Sequence, residues 1–215
     1  YGEDDSITTI VCDNGTDEYN DAQIEIKNFV ATEDDKKTET SDEVPEYLST
    51  YVAPTELGTD PLSYNIEIEN QVYTLPAPVS VFTDNGWKIA SQEDSVPSGR
   101  SLSSAIKLQK DGKEIEASVT NFADYQTKPE NCAISYLYFY ADESKNPEVK
   151  LPGGITIKST SEDVKKWAGD KFDYSKSGDS EYYNYYDDDN EGYIAINCKK
   201  TVSSMSVRKE TWPSK

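Results

Sequence analysis

The sequence predicts an α+β fold. It holds two tandem helix-plus-antiparallel-meander units, with the helices packed on one face of the sheets and an N-terminal hairpin ahead of them. Three observations lead there. Two short segments, Val79–Asp84 and Ser161–Ala168, carry apolar residues at helical spacing behind helix-starting residues. Each is followed by a polar loop and then by three strand-like runs divided by tight turns. The same element order therefore occurs twice, which is the mark of an internal repeat. On this reading the chain divides into a hairpin (1–30), an acidic and proline-punctuated linker (31–61), a first unit (62–148) and a second unit (149–215).

Composition sets the outer bounds. The 215 residues include 21 basic and 41 acidic side chains and no histidine, for a formal charge of −20. Such a field repels nucleic acid and anionic membrane surfaces, so neither is expected as a partner. The mean hydropathy of −0.78 is low, yet the chain holds 16 tyrosines and three tryptophans, residues depleted in disordered chains. Tyrosine covers a core with its ring while its hydroxyl stays wet, so a folded chain with a polar surface is expected. No run is long and apolar enough to span a bilayer, and direct membrane insertion is not expected. A start at Tyr1 and an acidic, methionine-poor, tyrosine-rich composition point to a mature extracytoplasmic protein at a bacterial surface, the alternative being an excised domain of a cytosolic protein. Cys12, Cys132 and Cys198 allow at most one bridge. Cys198 shares the strand face of Ile194 and Ile196, which favours a buried free thiol there.

The elements follow in order. Ser6–Cys12 and Ala22–Phe29 flank the turn signal Asp13-Asn14-Gly15 and form the hairpin. In the linker, Ala31–Val44 offers nothing to bury. Tyr47, Leu48, Tyr51, Val52 and Leu57 then leave two readings, a plain tether or a segment laid across the domain. The first unit opens with alternating Tyr64, Ile66 and Ile68, a turn at Asn70-Gln71 and a return through Val72–Leu75. Pro76 and Pro78 suit the first turn of a short helix that buries Val79 and Phe82. Asp84-Asn85-Gly86 ends it, Trp87-Lys88-Ile89 leaves in extended form, and the polar loop Ser91–Ser101 follows. Strands are then predicted at Ser104–Lys110, Lys113–Asn121 and Asn131–Tyr140.

The second unit begins with a turn at Leu151-Pro152-Gly153-Gly154 and a short strand, Ile155-Thr156-Ile157. Thr160 and Asp163 fit a capping box, Val164, Trp167 and Ala168 share one helix face, and Gly169 supplies a left-handed stop. After a polar loop come strands at Glu181–Tyr186, Gly192–Cys198 and Thr201–Arg208. The buried strand faces should include Ile106, Leu108, Ile115, Val119, Ile194, Ile196, Met205 and Val207.

These residues carry a resemblance. The run Gly154–Gly169 and the meander Tyr-x-Tyr-Tyr…Gly-Tyr-Ile-x-Ile, closing on Val202–Val207, are similar to the repeats of β-lactamase-inhibitor-protein-like domains. Small outer-membrane assembly lipoproteins share that repeat. Tyr73-Thr74-Leu75-Pro76 followed by Asn85-Gly86-Trp87-Lys88 resembles tandem versions in secreted or lipid-anchored bacterial proteins. The resemblance spans about 62–210 and implies a sheet with helices on one face and the other face free for contact. It carries no catalytic residue.

Catalysis has little to rest on. Without histidine there is no Ser-His-Asp or Cys-His arrangement and no imidazole metal site. Carboxylate pairs arise by chance among 41 acids, so no catalytic residue, metal or cofactor is assigned and no enzyme is expected. Asp187, Asp189, Glu191 and Gly192 match the early positions of a calcium loop, but Cys198 stands where a bidentate Glu is needed. A solvated hairpin turn is the simpler reading. In the tyrosine run, Tyr183 and Tyr185 face one way and Tyr182 and Tyr186 the other. Tyr183, Tyr185, Tyr193 and Trp87 are the binding candidates, as exposed aromatic rings anchor partners. The competing reading is that such rings pack over cross-strand neighbours, and it applies equally to Tyr136, Tyr138 and Tyr140. The expected function is a non-catalytic extracytoplasmic domain that binds a protein partner or a cell-envelope polymer through its open sheet or loops. The alternative is a carbohydrate-binding surface module using the tyrosines with Trp87 or Trp212. A planar row of exposed rings would favour sugar, and a curved sheet with scattered tyrosines would favour protein.

Overall fold

Among the described residues, alternating apolar and polar side chains build twelve strands, with two short α-helices between them. In chain order these are β1 (Asn65–Ile68), β2 (Gln71–Thr74), β3 (Ala77–Pro78), α1 (Val79–Asp84), β4 (Lys88–Gln92), β5 (Ser101–Lys110), β6 (Lys113–Thr120) and β7 (Ala133–Tyr140). Then follow β8 (Val149–Lys150), α2 (Ser161–Ala168), β9 (Asp173–Ser177), β10 (Ser180–Tyr186), β11 (Gly192–Cys198) and β12 (Val202–Lys209). The computed structural model describes residues 40–188 and 190–212, which belong to one unit beginning at Thr40. The expected hairpin of 1–30 and the first part of the linker lie outside the described residues.

The fold is mostly β. A nine-stranded antiparallel sheet has the order β4-β5-β6-β7-β12-β11-β10-β9, with β3 also paired to β7, and a separate three-stranded sheet has the order β2-β1-β8. The predicted helices form where expected, but α1 has six residues and α2 eight, so helix is a minor part of the α+β expectation. Outward from the seam between β7 and β12, each half runs through four antiparallel strands. The seam itself spans Tyr140↔Ser204 to Tyr136↔Arg208.

Register decides which side chains share a face. Leu108 opposes Ile115, Ala117 opposes Leu137, Leu137 opposes Val207, and Val207 opposes Ile194. Directly opposed residues point the same way, so these make one continuous apolar face. The small sheet and both helices cover it: Ile66, Ile68, Tyr73, Val79, Phe82, Val164 and Ala168 join the same buried cluster. Tyr73 stacks on Phe82 with ring centres 4.0 Å apart. All eight strand residues expected in the core are buried.

At the start of α2, the Thr160 hydroxyl accepts from the Asp163 amide (3.1 Å), and an Asp163 oxygen accepts from the Thr160 amide (2.9 Å). The capping box satisfies two backbone donors that the first turn leaves free. The Trp167 indole N–H donates to the Pro152 carbonyl (2.7 Å) and its ring lies 4.9 Å from that of Phe172. Tyr47 clusters with Phe122 (5.7 Å) and Trp212 (4.9 Å), which also touch each other. The Tyr51 hydroxyl accepts from the Thr74 amide at 3.1 Å. This part of the linker is therefore bound to the domain.

Three local expectations change. Ile155–Ile157 is not a strand. Ile155 makes only a single bridge back to Leu151 and the chain then turns, because the amide and carbonyl of Thr156 are both taken by Ser159 in that turn. Pro78 stands just before α1 rather than in its first turn, and with Ala77 it pairs with β7. Asp173–Ser177, expected as loop, is the edge strand β9. Its side chains are all exposed, and only its pairing with β10 makes it a strand.

Candidate binding face

The side of the nine-stranded sheet away from the helices carries a different set of residues. Three rows cross its centre: Tyr136–Arg208–Tyr193–Tyr186, Tyr138–Ser206–Ala195–Asn184 and Tyr140–Ser204–Asn197–Tyr182. Strand alternation forces this set outward once Leu137, Phe139, Met205, Val207, Ile194 and Ile196 turn inward. Ser204 and Ser206 are buried beneath the rings, whereas Tyr140 and Tyr186 are about half exposed, at 49% and 50%.

The rings are tilted rather than coplanar. Tyr136 and Tyr138 lie 6.3 Å apart at 58°, Tyr138 and Tyr140 4.3 Å apart at 55°, and Tyr186 and Tyr193 4.7 Å apart at 37°. The Arg208 guanidinium lies 5.7 Å from the centre of the Tyr193 ring, a cation–π contact, and donates to the Asn190 carbonyl at 3.1 Å. The Asn197 amide donates to Ser204 Oγ at 2.9 Å. Burial pushes the Tyr193 hydroxyl up to about 12 and also raises that of Tyr136. These phenols are therefore neutral at physiological pH and present both donors and acceptors.

A groove of about 580 Å³ runs beside the β7 tyrosines. Glu114, Glu116 and Ser118 of β6 floor it, Tyr136, Tyr138 and Tyr140 form one wall, Ser103 and Ser104 line the other, and the loop 142–146 closes one end. Its origin is a bulge in β5. Leu102 pairs with Val119 and Ile106 with Ala117, so Ser103–Ala105 stand opposite the single residue Ser118, with Ser104 at φ +52°. The extra residues bend β5 away from its neighbour. At the closed end, Lys145 pairs with Glu114 at 2.6 Å, and its carbonyl accepts from the Glu114 amide at 2.9 Å. The Lys145 hydrogen bond, joined by one from Gln109, holds the Glu114 carboxyl below its ordinary range.

The four residues singled out from sequence are not brought together. Tyr183 is 2% exposed and faces the core, with its hydroxyl donating to Glu181 at 3.1 Å. Tyr185 packs on the same side, 5.8 Å from Phe172. Trp87 is 1% exposed within the core. A ring this deeply buried offers a partner no surface, so of the four only Tyr193 stands on the open face. Alternation sorted the tyrosines into two sets, but which set turned inward depended on Tyr183 opposing Ile196. The row Tyr136, Tyr138 and Tyr140 was visible as an alternating run. The alternation of Ser204 and Ser206 with Met205 and Val207 marks a polar face on β12, but that it lies opposite those tyrosines follows only from the pairing of β7 with β12. Trp212 is half-buried against Tyr47.

Asp187, the first residue of the calcium-like run, is committed elsewhere. It accepts from the Gly192 amide (2.8 Å) and the Tyr64 hydroxyl (3.3 Å) and pairs with Lys209 (2.6 Å). Asp189 lies outside the described residues. No helix among the described residues is long and apolar enough to cross a membrane. Comparison of the chain with protein-family models, with curated proteins and with solved structures finds no match.

Proposed function

We propose that the chain is a non-catalytic extracytoplasmic domain of a secreted or lipid-anchored bacterial protein, and that it binds another protein through the open face of its nine-stranded sheet. The observation that carries this is the make-up of that face. Its three central rows hold six tyrosines, two serines, two asparagines, one alanine and one arginine. Tyrosine supplies a large, amphipathic contact area at low conformational cost, and serine and asparagine supply adaptable hydrogen bonds. The tilt of 55–58° between successive β7 rings argues for protein over a sugar stacked along a flat aromatic strip.

The architecture accords with a tandem origin. α1 is followed by the meander β4–β7 and α2 by the meander β9–β12, and the two meet through their last strands. This reading extends the resemblance to β-lactamase-inhibitor-protein-like repeats, with each unit contributing four strands to one shared sheet.

The test is retention of native envelope proteins on the immobilised chain. Wild type is compared with the double variant Tyr186→Ala/Tyr193→Ala and with Tyr174→Ala, which alters a ring on the helix side. One protein should be retained saturably by wild type and Tyr174→Ala and at least about tenfold more weakly by the double variant, the scale of losing an anchor ring. Equal retention by all three sinks the proposal. Tyrosine-dependent binding of a purified envelope glycan in place of a protein would put the carbohydrate reading first.

A further inference from the structure

Resting on that reading, we infer that the groove beside Tyr138 receives an extended segment of the partner protein bearing lysine or arginine, whose cationic side chain lodges between the tyrosine rings and the carboxylates of Glu116 and Glu143.

Shape, sign and surface chemistry agree on this occupant. The floor from Glu114 to Ser118 is a single strand with its walls on the two neighbouring strands, about 9–10 Å apart at the usual strand spacing, so it matches an extended backbone better than a helix, whose width is ~10–12 Å. The lining holds four carboxylates, Glu114, Glu116, Asp142 and Glu143, against one lysine, Lys145. Tyrosine ring faces attract cations through their quadrupole, and such contacts strengthen when water is excluded. Glu116 is paired with Lys107 at 2.7 Å, but its side chain is 60% exposed. Exposed pairs of this kind contribute little, so an incoming cation can replace Lys107 at small cost. The net charge of −20 draws cationic segments toward the surface and turns anionic ones away.

The probe is a nine-residue peptide alternating lysine and glycine, titrated calorimetrically into the full chain at 20 and 300 mM NaCl beside its glutamate counterpart. The lysine peptide should bind, the glutamate peptide should not, and affinity should fall about tenfold between the two salt concentrations. Tyr138→Ala should weaken binding about tenfold. Glu116→Gln/Glu143→Gln, which removes charge without opening a gap in packing, should weaken it about fivefold and flatten the salt response. Tyr174→Ala, on the helix side of the sheet and away from the groove, should leave it unchanged. No heat at millimolar peptide, equal binding of the glutamate peptide, or binding untouched by both groove variants would overturn the inference. Retention of the native partner separates the two claims. If it survives Tyr138→Ala but is lost in Tyr186→Ala/Tyr193→Ala, the groove is wrong and the open face stands. If it survives both, both are wrong.

Discussion

The hydroxyl end of Tyr64 stands over the α-carbon of Gly192, in the space that a side chain there would need; a β-carbon at 192 would lie 2.6 Å from Tyr64 Cζ. This contact joins the entry to the small sheet with the first residue of β11. It also sets Asp187, which accepts from both residues, beside Lys209.

Gly192→Ala should therefore cost about 1–3 kcal/mol of stability through overpacking. Urea denaturation measures this. Pairing it with Tyr64→Ala should recover part of the loss, since neighbours that share one space do not add independently. Additive losses would mean that the two sites act separately.

Acid should unfold the domain in part through its held carboxylates. Burial acts to raise the Asp187 carboxyl, but Lys209, the Gly192 amide and the Tyr64 hydroxyl outweigh it and keep the group below its ordinary 3.8. Hydrogen bonds from the Thr160 side chain and backbone lower Asp163 in the same way. A depressed folded value means that the stabilisation is complete above the unfolded value and is lost as pH falls through the folded one. Melting temperature should thus drop steeply below about pH 4. Asp187→Asn, melted over the same range, should show a shallower drop because its pair is absent at every pH.

Trp167→Ala should cost about 2–3 kcal/mol, less than for a fully buried tryptophan because the ring is only half-buried. Trp167→Phe keeps most of the packing against Phe172 and loses the bond to the Pro152 carbonyl, so about 1 kcal/mol is expected. A change within about 0.5 kcal/mol for the alanine variant would mark Trp167 as a surface residue.

Both described thiols should be inert in the folded protein. Cys132 and Cys198 are free and buried, and burial pushes them up to about 12 and about 11. The thiolate is the nucleophile, so in a Cys12→Ser background alkylation by iodoacetamide at pH 8 should be negligible until denaturant is added. Prompt labelling of the native chain would show that one of these sites opens.

The sequence by itself determined what depends on neighbours within a few residues. Thr160 and Asp163 start α2 because they lie one turn apart, and Asp111-Gly112 turns the chain because both residues sit at positive φ, 50° and 79°. The strand alternation that separates Leu137 and Phe139 from Tyr136, Tyr138 and Tyr140 is equally local. Tertiary structure decided what depends on partners far along the chain. Nothing near Tyr136 states that Arg208 will lie beside it, yet that seam makes one sheet of two meanders. Ile155–Ile157 had a strand pattern but Thr156 is closed into a turn by Ser159, while polar Asp173–Ser177 became a strand because β10 offered a free edge. Period fixes which side chains share a face. Which face is buried follows only when distant strands pair and water is excluded between them, and that is why Trp87 and Tyr183 went inward while Tyr193 stayed on the surface.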